Sequence, residues 1–445
     1  MATARVPPGP KGRFLSGSLK EFIAGRLDFL SECAAAYGDV SSFRFGPRRV
    51  YLVNHPDLIE QVLVTDAKHY VKHFGARMYK PVLGNGLVTS EGDFWLRQRR
   101  LAQPAFLRPR LAGYAPVMVA LTQKMLDTEW RDGLRVDVHG QMSRLTSAIA
   151  LKTLFDLDRG PEADSYTESL REVFHRISAR FRSLIRLPFW VPTRNNIGIY
   201  RAQRRLRGLV DGFIRQGRSR KEPGDDLLSL LIFAQDEDGR RMTDRQLRDE
   251  ATTLYLAGHE TTALTLSWTW YALAQHPRVE EKLVAEWAAV LGGRAPTADD
   301  VPRLPYTECV ITEAMRLYPP VYLVGREPLA DRELGGYRVP RGTTLFMSQW
   351  VTQRDGRFYD DPLEFRPERW ADGLAKRLPK YAYFPFGGGP RVCIGNGFAM
   401  MEAVLLLATF GQQYRFTVEP DPPVGFDLGI TLMPLNGIPA VLRRR

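Results

Sequence analysis

Apolar residues recur with helical spacing over most of residues 93–276, and this pattern predicts a chain rich in α-helix. The longest predicted helix begins at Thr243, where Thr243 and Gln246 have the spacing of a capping box, and it ends before Pro277. About 33 residues at 1.5 Å per residue give a helix of roughly 50 Å. We therefore expect one helix that crosses the whole molecule.

Other apolar-periodic runs predict further helices, and Pro188 and Pro192 interrupt the periodicity between two of them. This interruption leaves open whether the pair forms a mobile cover over a pocket or a plain helix–turn–helix. Beyond the longest helix, the predicted helices cover residues 279–291, 306–318 and 398–410.

Strand-like patterns occupy the remainder of the chain. Short β-type runs in residues 40–53 surround Gly46, which predicts a hairpin, and residues 414–445 are again strand-like. Residues 1–18 are rich in Pro and Gly, and we expect them to form an extended arm. The pattern as a whole predicts a mainly α fold with a smaller β region, in one domain without a linker.

Composition adds an expectation about location. The three cysteines are far apart and form no CxxC pair, which favours a reducing compartment. No stretch is apolar enough to span a membrane, and the first residues have no signal-peptide core. We therefore expect a soluble, cytoplasmic protein without a membrane anchor.

Charge adds an expectation about partners. The net charge is +12, and residues 201–221 contain eight basic residues against one acid, Asp211. This stretch is either a solvated helix face or a basic surface that docks an acidic electron-transfer protein by electrostatic steering. No nucleic-acid recognition motif accompanies the charge, so we expect no nucleic-acid partner.

One cysteine has an unusual neighbourhood. Cys393 follows Phe386, three consecutive glycines and Arg391, and it precedes the apolar run of residues 398–410. Glycine permits positive φ and close approach of the backbone to another surface, and a helix N-terminus beside an arginine favours the thiolate. A buried cysteine in a tight turn would not need this crowding. A thiolate that binds a flat metal cofactor would need glycine and arginine around it. Haem fits this description, because an axial thiolate favours O–O cleavage.

The longest predicted helix carries polar residues in its middle. Gly258, Glu260 and the adjacent Thr261 and Thr262 lie among apolar neighbours, although an interior glycine costs up to about 1 kcal/mol and an unpartnered carboxylate costs more. We infer a locally opened helix with a groove for a small ligand, in which Thr261 donates a hydroxyl hydrogen bond and Glu260 provides a proton route. The alternative is a solvent-facing carboxylate with cap-like threonines.

Other motifs supply candidate partners for carboxylates. Glu313 and Arg316 are three residues apart on one helix face, and Arg369 is available as a third member. Four residues are candidates for binding an anionic planar ligand or its carboxylates: Trp95, Arg99, Arg326 and Arg391.

Together these motifs resemble the cytochrome P450 superfamily of haem-thiolate monooxygenases. The cysteine loop matches the pattern F-x-x-G-x-R-x-C-x-G in full, and the long helix matches A-G-x-E-T-T. W-x-x-x-R, E-x-x-R and a variant of P-E-R-F also occur, in the order of the family, over about residues 40–440. The similarity is closest to soluble bacterial fatty-acid hydroxylase haem domains. It implies the cytochrome P450 fold, with a long central helix over haem b, in a single haem domain over residues 1–445.

The resemblance also implies a role for each candidate residue. Cys393 resembles the axial iron ligand, while Glu260 and Thr261 resemble the acid–alcohol pair that delivers protons to dioxygen. The implied cofactor-binding residues are Phe386 in the cysteine loop and the propionate partners Trp95, Arg99, Arg326 and Arg391. The implied structural triad is Glu313, Arg316 and Arg369. The implied substrate contacts are residues 70–88, 182–196, 321–324 and 430–432.

The expected activity is insertion of one atom of O2 into a hydrophobic substrate, either a fatty acid or a terpenoid-like molecule. Electrons are expected from NAD(P)H through a separate ferredoxin and ferredoxin reductase or a flavodoxin-type donor. A peroxide-driven peroxygenase and a non-catalytic haem-binding sensor are the alternatives. The pair Glu260 and Thr261 argues against both.

Overall fold

The structure is a computed structural model that describes residues 5–158, 160–182, 190–418 and 423–445. The chain divides into two compact units. Unit 1 comprises Met1–Arg77, Trp130–Gly140 and Leu264–Arg445, and unit 2 comprises Met78–Glu129 and Gln141–Ala263. All strands among the described residues lie in unit 1, whereas unit 2 is helical. The expected mainly α fold with a smaller β region is confirmed.

The helices occupy most of the predicted positions. They are α1 (Leu19–Ala24), α2 (Arg26–Tyr37), α3 (Pro56–Glu60), α4 (Phe74–Arg77), α5 (Lys80–Leu83), α6 (Gly92–Ala102), α7 (Arg108–Thr128), α8 (Val138–Phe155), α9 (Pro161–Arg182), α10 (Arg194–Arg218), α11 (Leu227–Phe233), α12 (Asp244–Gln275), α13 (Pro277–Leu291), α14 (Pro305–Leu317), α15 (Gln349–Thr352), α16 (Glu368–Ala371), α17 (Leu374–Arg377) and α18 (Asn396–Gly411). No helix among the described residues is both long and apolar enough to cross a bilayer.

The capping box predicted for the longest helix is formed. The amide of Thr243 donates to Gln246 Oε1 (2.8 Å), and the amide of Gln246 donates to Thr243 Oγ1 (3.3 Å). These bonds satisfy two of the amides that a helix leaves unpaired at its start. The helix α12 then continues to Gln275 and stops just before His276 and Pro277, as predicted.

The strands of the described residues form four small sheets in unit 1. They are β1 (Val40–Phe45), β2 (Arg48–Val53), β3 (Tyr70–Lys72), β4 (Arg135–Asp137), β5 (Val324–Pro328), β6 (Arg332–Leu334), β7 (Tyr337–Val339), β8 (Thr344–Met347), β9 (Tyr414–Val418), β10 (Phe426–Leu428), β11 (Leu432–Pro434) and β12 (Pro439–Arg444). The largest sheet has the order β1-β2-β8-β5-β3, in which only β2 and β8 run parallel. The predicted hairpin of β1 and β2 is confirmed, with Gly46 at φ 58° in its turn.

One strand interrupts the region predicted to be helical. The strand β4 lies between α7 and α8 and pairs with β12, so that Val136 faces Ala440 in the register. Three residues are too few to show a strand period, and their partner lies near the other end of the chain. The interruption at Pro188 cannot be compared, because residues 183–189 lie outside the described residues.

Candidate functional site

Cys393 lies in the turn that leads into α18, and it is exposed. Its amide donates to the carbonyl of Phe386 (3.0 Å), and the amide of Val392 donates to the carbonyl of Gly389 (3.0 Å). These bonds close the loop on itself just before α18 begins at Asn396. The backbone therefore presents the thiol at the surface of unit 1 from a fixed turn.

Gly389 explains part of the glycine in this loop. Its φ is 63°, and a Cβ at this position would lie 1.9 Å from the carbonyl oxygen of Leu63. The amide of Gly389 also donates to the hydroxyl of Tyr381 (3.2 Å). A side chain here would be strained and would displace the loop from the turn Gln61–Thr65.

The two other cysteines have different surroundings. Cys33 is buried, and burial raises the pKa of its thiol to about 12. Cys309 is half-buried, and burial, together with the nearby Glu308, raises the pKa of its thiol to about 11. Both groups remain protonated at neutral pH, so Cys393 is the best-placed cysteine for a thiolate ligand.

The predicted ionic triad is formed in unit 1. Glu313 is fully buried and binds Arg316 Nε through Oε2 (2.8 Å) and Arg369 Nε through Oε1 (2.9 Å). It also accepts hydrogen bonds from Trp370 Nε1 (2.8 Å) and from the amide of Arg366 (3.0 Å). A buried carboxylate with this many charged and neutral donors is fully compensated.

Gln353 connects this triad to the cysteine loop, and it belongs to none of the sequence motifs. Arg316 Nη1 donates to the carbonyl of Gln353 (2.8 Å), and Gln353 Nε2 donates back to the carbonyl of Arg316 (3.1 Å). Gln353 Oε1 then accepts from the amide of Phe384 (3.1 Å), two residues before Phe386. No local pattern marks this glutamine, because its partners lie 37 and 31 positions away in the chain.

The remaining predicted residues of unit 1 occupy two elements. Phe386, Arg391 and Cys393 share one loop, and Arg391 is half-buried at the end of a 3₁₀ turn. Arg326 is half-buried on β5, between β3 and β8, and its Nη1 donates to the carbonyl of Gly325 (3.0 Å). Both guanidinium groups suit carboxylate recognition.

In unit 2, Trp95 and Arg99 lie one turn apart on α6, as predicted. Trp95 is buried, while Arg99 is half-buried and donates through Nε to Gln103 Oε1 (3.1 Å). The planar fork of a guanidinium matches the geometry of a carboxylate.

Glu260 and Thr261 are both half-buried on α12 in unit 2. Thr261 Oγ1 donates to the carbonyl of Ala257 (2.7 Å), and Thr262 Oγ1 donates to the carbonyl of Gly258 (3.1 Å). The expected local opening is not formed, because α12 is a continuous α-helix and both hydroxyls bond to the preceding turn without breaking it. Open space lies instead outside the helix: Ala257 is exposed, and a Cβ on Gly258 would meet no atom within 4 Å.

His259 lies beside this pair on α12, and the sequence pattern assigned it no role. Its Nδ1 lies 3.2 Å from the carbonyl of Tyr255, and its ring stacks on that tyrosine at 4.8 Å. Thr146 Oγ1 donates to the carbonyl of His259 (2.9 Å). Burial lowers the pKa of His259 to about 4, so the imidazole next to Glu260 is neutral at neutral pH.

The donor set can be tested against haem. Among the residues that the structure describes, no three His, Cys, Asp or Glu side chains cluster as protein ligands of a metal ion would. A porphyrin supplies four ligands to its iron, so a single protein side chain such as the exposed thiol of Cys393 would be enough to attach it. The exposed thiol and half-buried arginines of unit 1 fit such a group.

Comparison with known proteins decides the family. The family model of cytochrome P450 matches residues 7–438. The chain belongs to the cytochrome P450 family. Membership confirms the expected monooxygenase activity: this cytochrome P450 binds haem b and inserts one atom of O2 into a hydrophobic organic substrate, with electrons from a redox partner.

Two relatives and one solved structure show how far the similarity of this cytochrome P450 extends. It is 38% identical to cyclooctatin synthase of Streptomyces melanosporofaciens, over 97% of this chain and 94% of that protein. It is 36% identical to pentalenene oxygenase of Streptomyces avermitilis, over 89% of this chain and 88% of that protein. The crystal structure of the cytochrome P450DA haem domain matches it with a TM-score of 0.90 at 27% identity, covering 99% of this chain and 98% of the other.

Proposed function

We propose that Cys393 is the axial thiolate ligand of haem b. The observation that carries this assignment is the exposed position of Cys393 in a turn closed by its own backbone, whereas Cys33 and Cys309 are buried or half-buried thiols with raised pKa values. The ionic triad around Glu313 also supports the cysteine loop, because Gln353 links Arg316 to the backbone of Phe384. A rigid loop holds the sulfur in one position when the cofactor binds.

The resemblance assigns four residues to the haem propionates. Arginine binds carboxylates through a bidentate fork, and tryptophan donates one N–H. Phe386 precedes the glycines of the cysteine loop and contributes an apolar surface for the porphyrin. The propionate partners are Trp95, Arg99, Arg326 and Arg391.

Bound haem supplies the activation of dioxygen. The hydroxyl of Thr261 donates its proton to the carbonyl oxygen of Ala257, with 2.7 Å between the two oxygens. Rotation of this hydroxyl would turn its proton toward the open side of the helix. Glu260, the preceding residue, is half-buried and can pass a proton from solvent to Thr261 to replace the one that it has donated. His259 is neutral and hydrogen-bonded to the backbone, so it does not compete as a proton donor at neutral pH.

The proposed substrate class is terpenoid. Cyclooctatin synthase and pentalenene oxygenase, both similar over most of this chain, are named for terpenoid chemistry. The proposed substrate contacts are those implied by the resemblance: residues 70–88, 182–196, 321–324 and 430–432. Of these, residues 183–189 lie outside the described residues.

The remaining assignments concern the physiological setting. We propose that electrons come from NAD(P)H through a ferredoxin and its reductase, or a flavodoxin-type protein, in the cytoplasm. Residues 1–445 are proposed to act as one haem domain that begins with the arm of residues 1–18. The pairing of Gly17 with Phe45 supports an arm that runs along the protein.

The ligand assignment is tested by the absorption spectrum of the dithionite-reduced protein with carbon monoxide. The wild type is expected to show the strongly red-shifted Soret band of thiolate-ligated haem, and Cys393→Ser is expected to lose it. Cys309→Ser is the matched control and should keep it. A red-shifted band in Cys393→Ser would assign the ligand to another residue, and the absence of haem from the wild type would overturn the assignment.

A further inference from the structure

Two adjacent acidic residues of α12 hold a loop of unit 2 that overlaps the proposed substrate contacts of residues 70–88. The amide of Asn85 donates to Asp249 Oδ2 (2.8 Å), and the amide of Leu87 donates to Glu250 Oε2 (3.0 Å). Glu250 is fully buried, and a buried carboxylate persists where hydrogen-bond donors compensate it. Residues 84–90, the latch loop, are thus bound to the helix through their backbone.

Close backbone contacts with α12 and one hydrogen bond within the loop fix the conformation of the latch loop. Gly84 has φ 61°, and a Cβ there would lie 2.1 Å from the carboxylate of Asp249. A Cβ on Gly86 would lie 2.2 Å from Thr253 Oγ1. Thr89 Oγ1 donates to the carbonyl of Gly84 (2.8 Å), so the loop folds back on itself. The sequence Gly-Asn-Gly is what lets the backbone approach the helix this closely.

Gln98 supports the same carboxylate from a second helix. Its Nε2 donates to Glu250 Oε1 (3.3 Å), and its side chain is fully buried on α6. Glu250 therefore receives one donor from the latch loop and one from α6. Removing its charge would weaken the contact with the loop while leaving Gln98 able to support the side chain.

The position of the latch along α12 connects it with the proposed site. Glu250, Thr253, Ala257 and Thr261 follow one another at i, i+3, i+7 and i+11, which places them on one stripe of the helix. Ala257 is exposed on this stripe, about 10 Å along the axis from Glu250. Thr261 follows at about 16 Å. The latch loop therefore sits at the N-terminal end of the open stretch that leads to Thr261.

We propose that Asp249 and Glu250 are positioning residues that hold the latch loop as a wall at one end of the substrate space over Ala257. The proposal rests on the function proposed above and deepens it. A wall held by two carboxylates closes this end of the space, so a compact terpenoid keeps its contacts with the wall and a long linear chain cannot extend past it. When the wall loosens, the compact substrate loses contacts and the linear chain gains room.

The test compares two ligands by the shift each causes in the Soret absorbance of the haem-loaded, full-length protein. The probes are pentalenene as the compact terpenoid and dodecanoic acid as the linear chain. In Glu250→Gln and in Asp249→Asn, the ratio of the Kd for pentalenene to that for dodecanoic acid is expected to rise about tenfold, since one charge-assisted contact to the loop is lost. Asp244→Asn, which removes an exposed carboxylate from the same helix, should keep the wild-type ratio.

Hydrogen exchange of the latch loop provides a readout that needs no ligand. The amides of Asn85 and Leu87 are expected to exchange at least about tenfold faster in Asp249→Asn and Glu250→Gln than in the wild type. Unchanged exchange, or a loss of affinity that is equal for both ligands, would overturn the proposal. If exchange rises but wild-type protein binds no pentalenene, the latch stands and the terpenoid assignment fails. Asp249→Asn serves alone if the variant of the fully buried Glu250 does not fold.

Discussion

At the scale of the residue, the two adjacent threonines of α12 make nearly the same hydrogen bond in different surroundings. Each hydroxyl donates to the carbonyl four residues earlier, at 2.7 Å for Thr261 and 3.1 Å for Thr262. Thr262 is buried, whereas Thr261 is half-exposed on the stripe that includes the exposed Ala257. Only a hydroxyl with access to the open side can pass its proton to a ligand, so we assign that role to Thr261.

The first prediction separates these two hydroxyls. Thr261→Ala should retain haem and substrate binding but release a large share of the reducing equivalents as peroxide. The reason is that the hydroxyl that delivers protons to dioxygen is lost. Thr262→Ala, which removes an equivalent bond from the buried side, should keep product formation coupled to NAD(P)H consumption. Peroxide and product are measured together with a surrogate ferredoxin system. Fully coupled turnover in Thr261→Ala would refute its role in proton delivery.

At the scale of the element, the buried carboxylate of α14 organises the segment that supports the cysteine loop. Glu313 receives Arg316 from its own helix and Arg369 from α16. Arg316 also donates to the carbonyls of Pro362 (2.6 Å) and Glu364 (3.0 Å), so an irregular stretch of backbone is bound to the helix. The buried charges therefore join α14, α16 and the irregular backbone of residues 362–364.

The second prediction concerns this junction. Glu313→Ala leaves Arg316 and Arg369 buried without their carboxylate, and it should lower the free energy of unfolding by about 3–5 kcal/mol. Urea unfolding and the fraction of haem retained after gel filtration measure the effect. Glu333→Ala, an exposed position on β6, is the control and should unfold as the wild type does. A Glu313→Ala protein that is as stable and as haem-replete as the wild type would show that the network is dispensable.

At the scale of the whole molecule, positive charge dominates. Basic residues number 62 against 50 acidic residues. On α10, Arg201 and Arg204 are exposed, while Asp211, the single acid of this stretch, is paired with Arg248 at 2.8 Å. Charge of one sign steers an acidic partner toward the protein, and dissolved salt screens it.

The third prediction uses that screening. The rate at which an acidic ferredoxin reduces the protein should fall about tenfold between low salt and 0.5 M NaCl. If the basic face of α10 is the docking surface, Arg201→Gln with Arg204→Gln should reduce both the rate and its salt dependence. Arg108→Gln with Arg110→Gln removes the same charge from exposed positions of α7 and serves as the control. Equal effects of the two double variants would leave α10 as a solvated helix face, and a rate independent of salt would exclude steering.

Much of this protein was predictable from local patterns. The capping box at Thr243, the hairpin around Gly46 and the glycine-rich run before Cys393 each depend on residues a few positions apart, and a sequence displays such relations directly. The same holds for Glu313 and Arg316, three residues apart on one helix. Their burial was predictable from the apolar flanks, because the hydrophobic effect acts on the segment as a whole.

Tertiary structure alone decided the relations between distant segments. Gln353 joins the ionic triad to the cysteine loop, Glu250 holds the latch loop, and β4 finds its partner in β12, yet none of these residues has a distinctive local pattern. Their partners lie tens to hundreds of positions away, and which of them meet depends on how the helices and strands pack. The sequence by itself determined most of the helices and strands, the family and the residue types suited to the chemistry, whereas packing determined which side chains hold those residues in place.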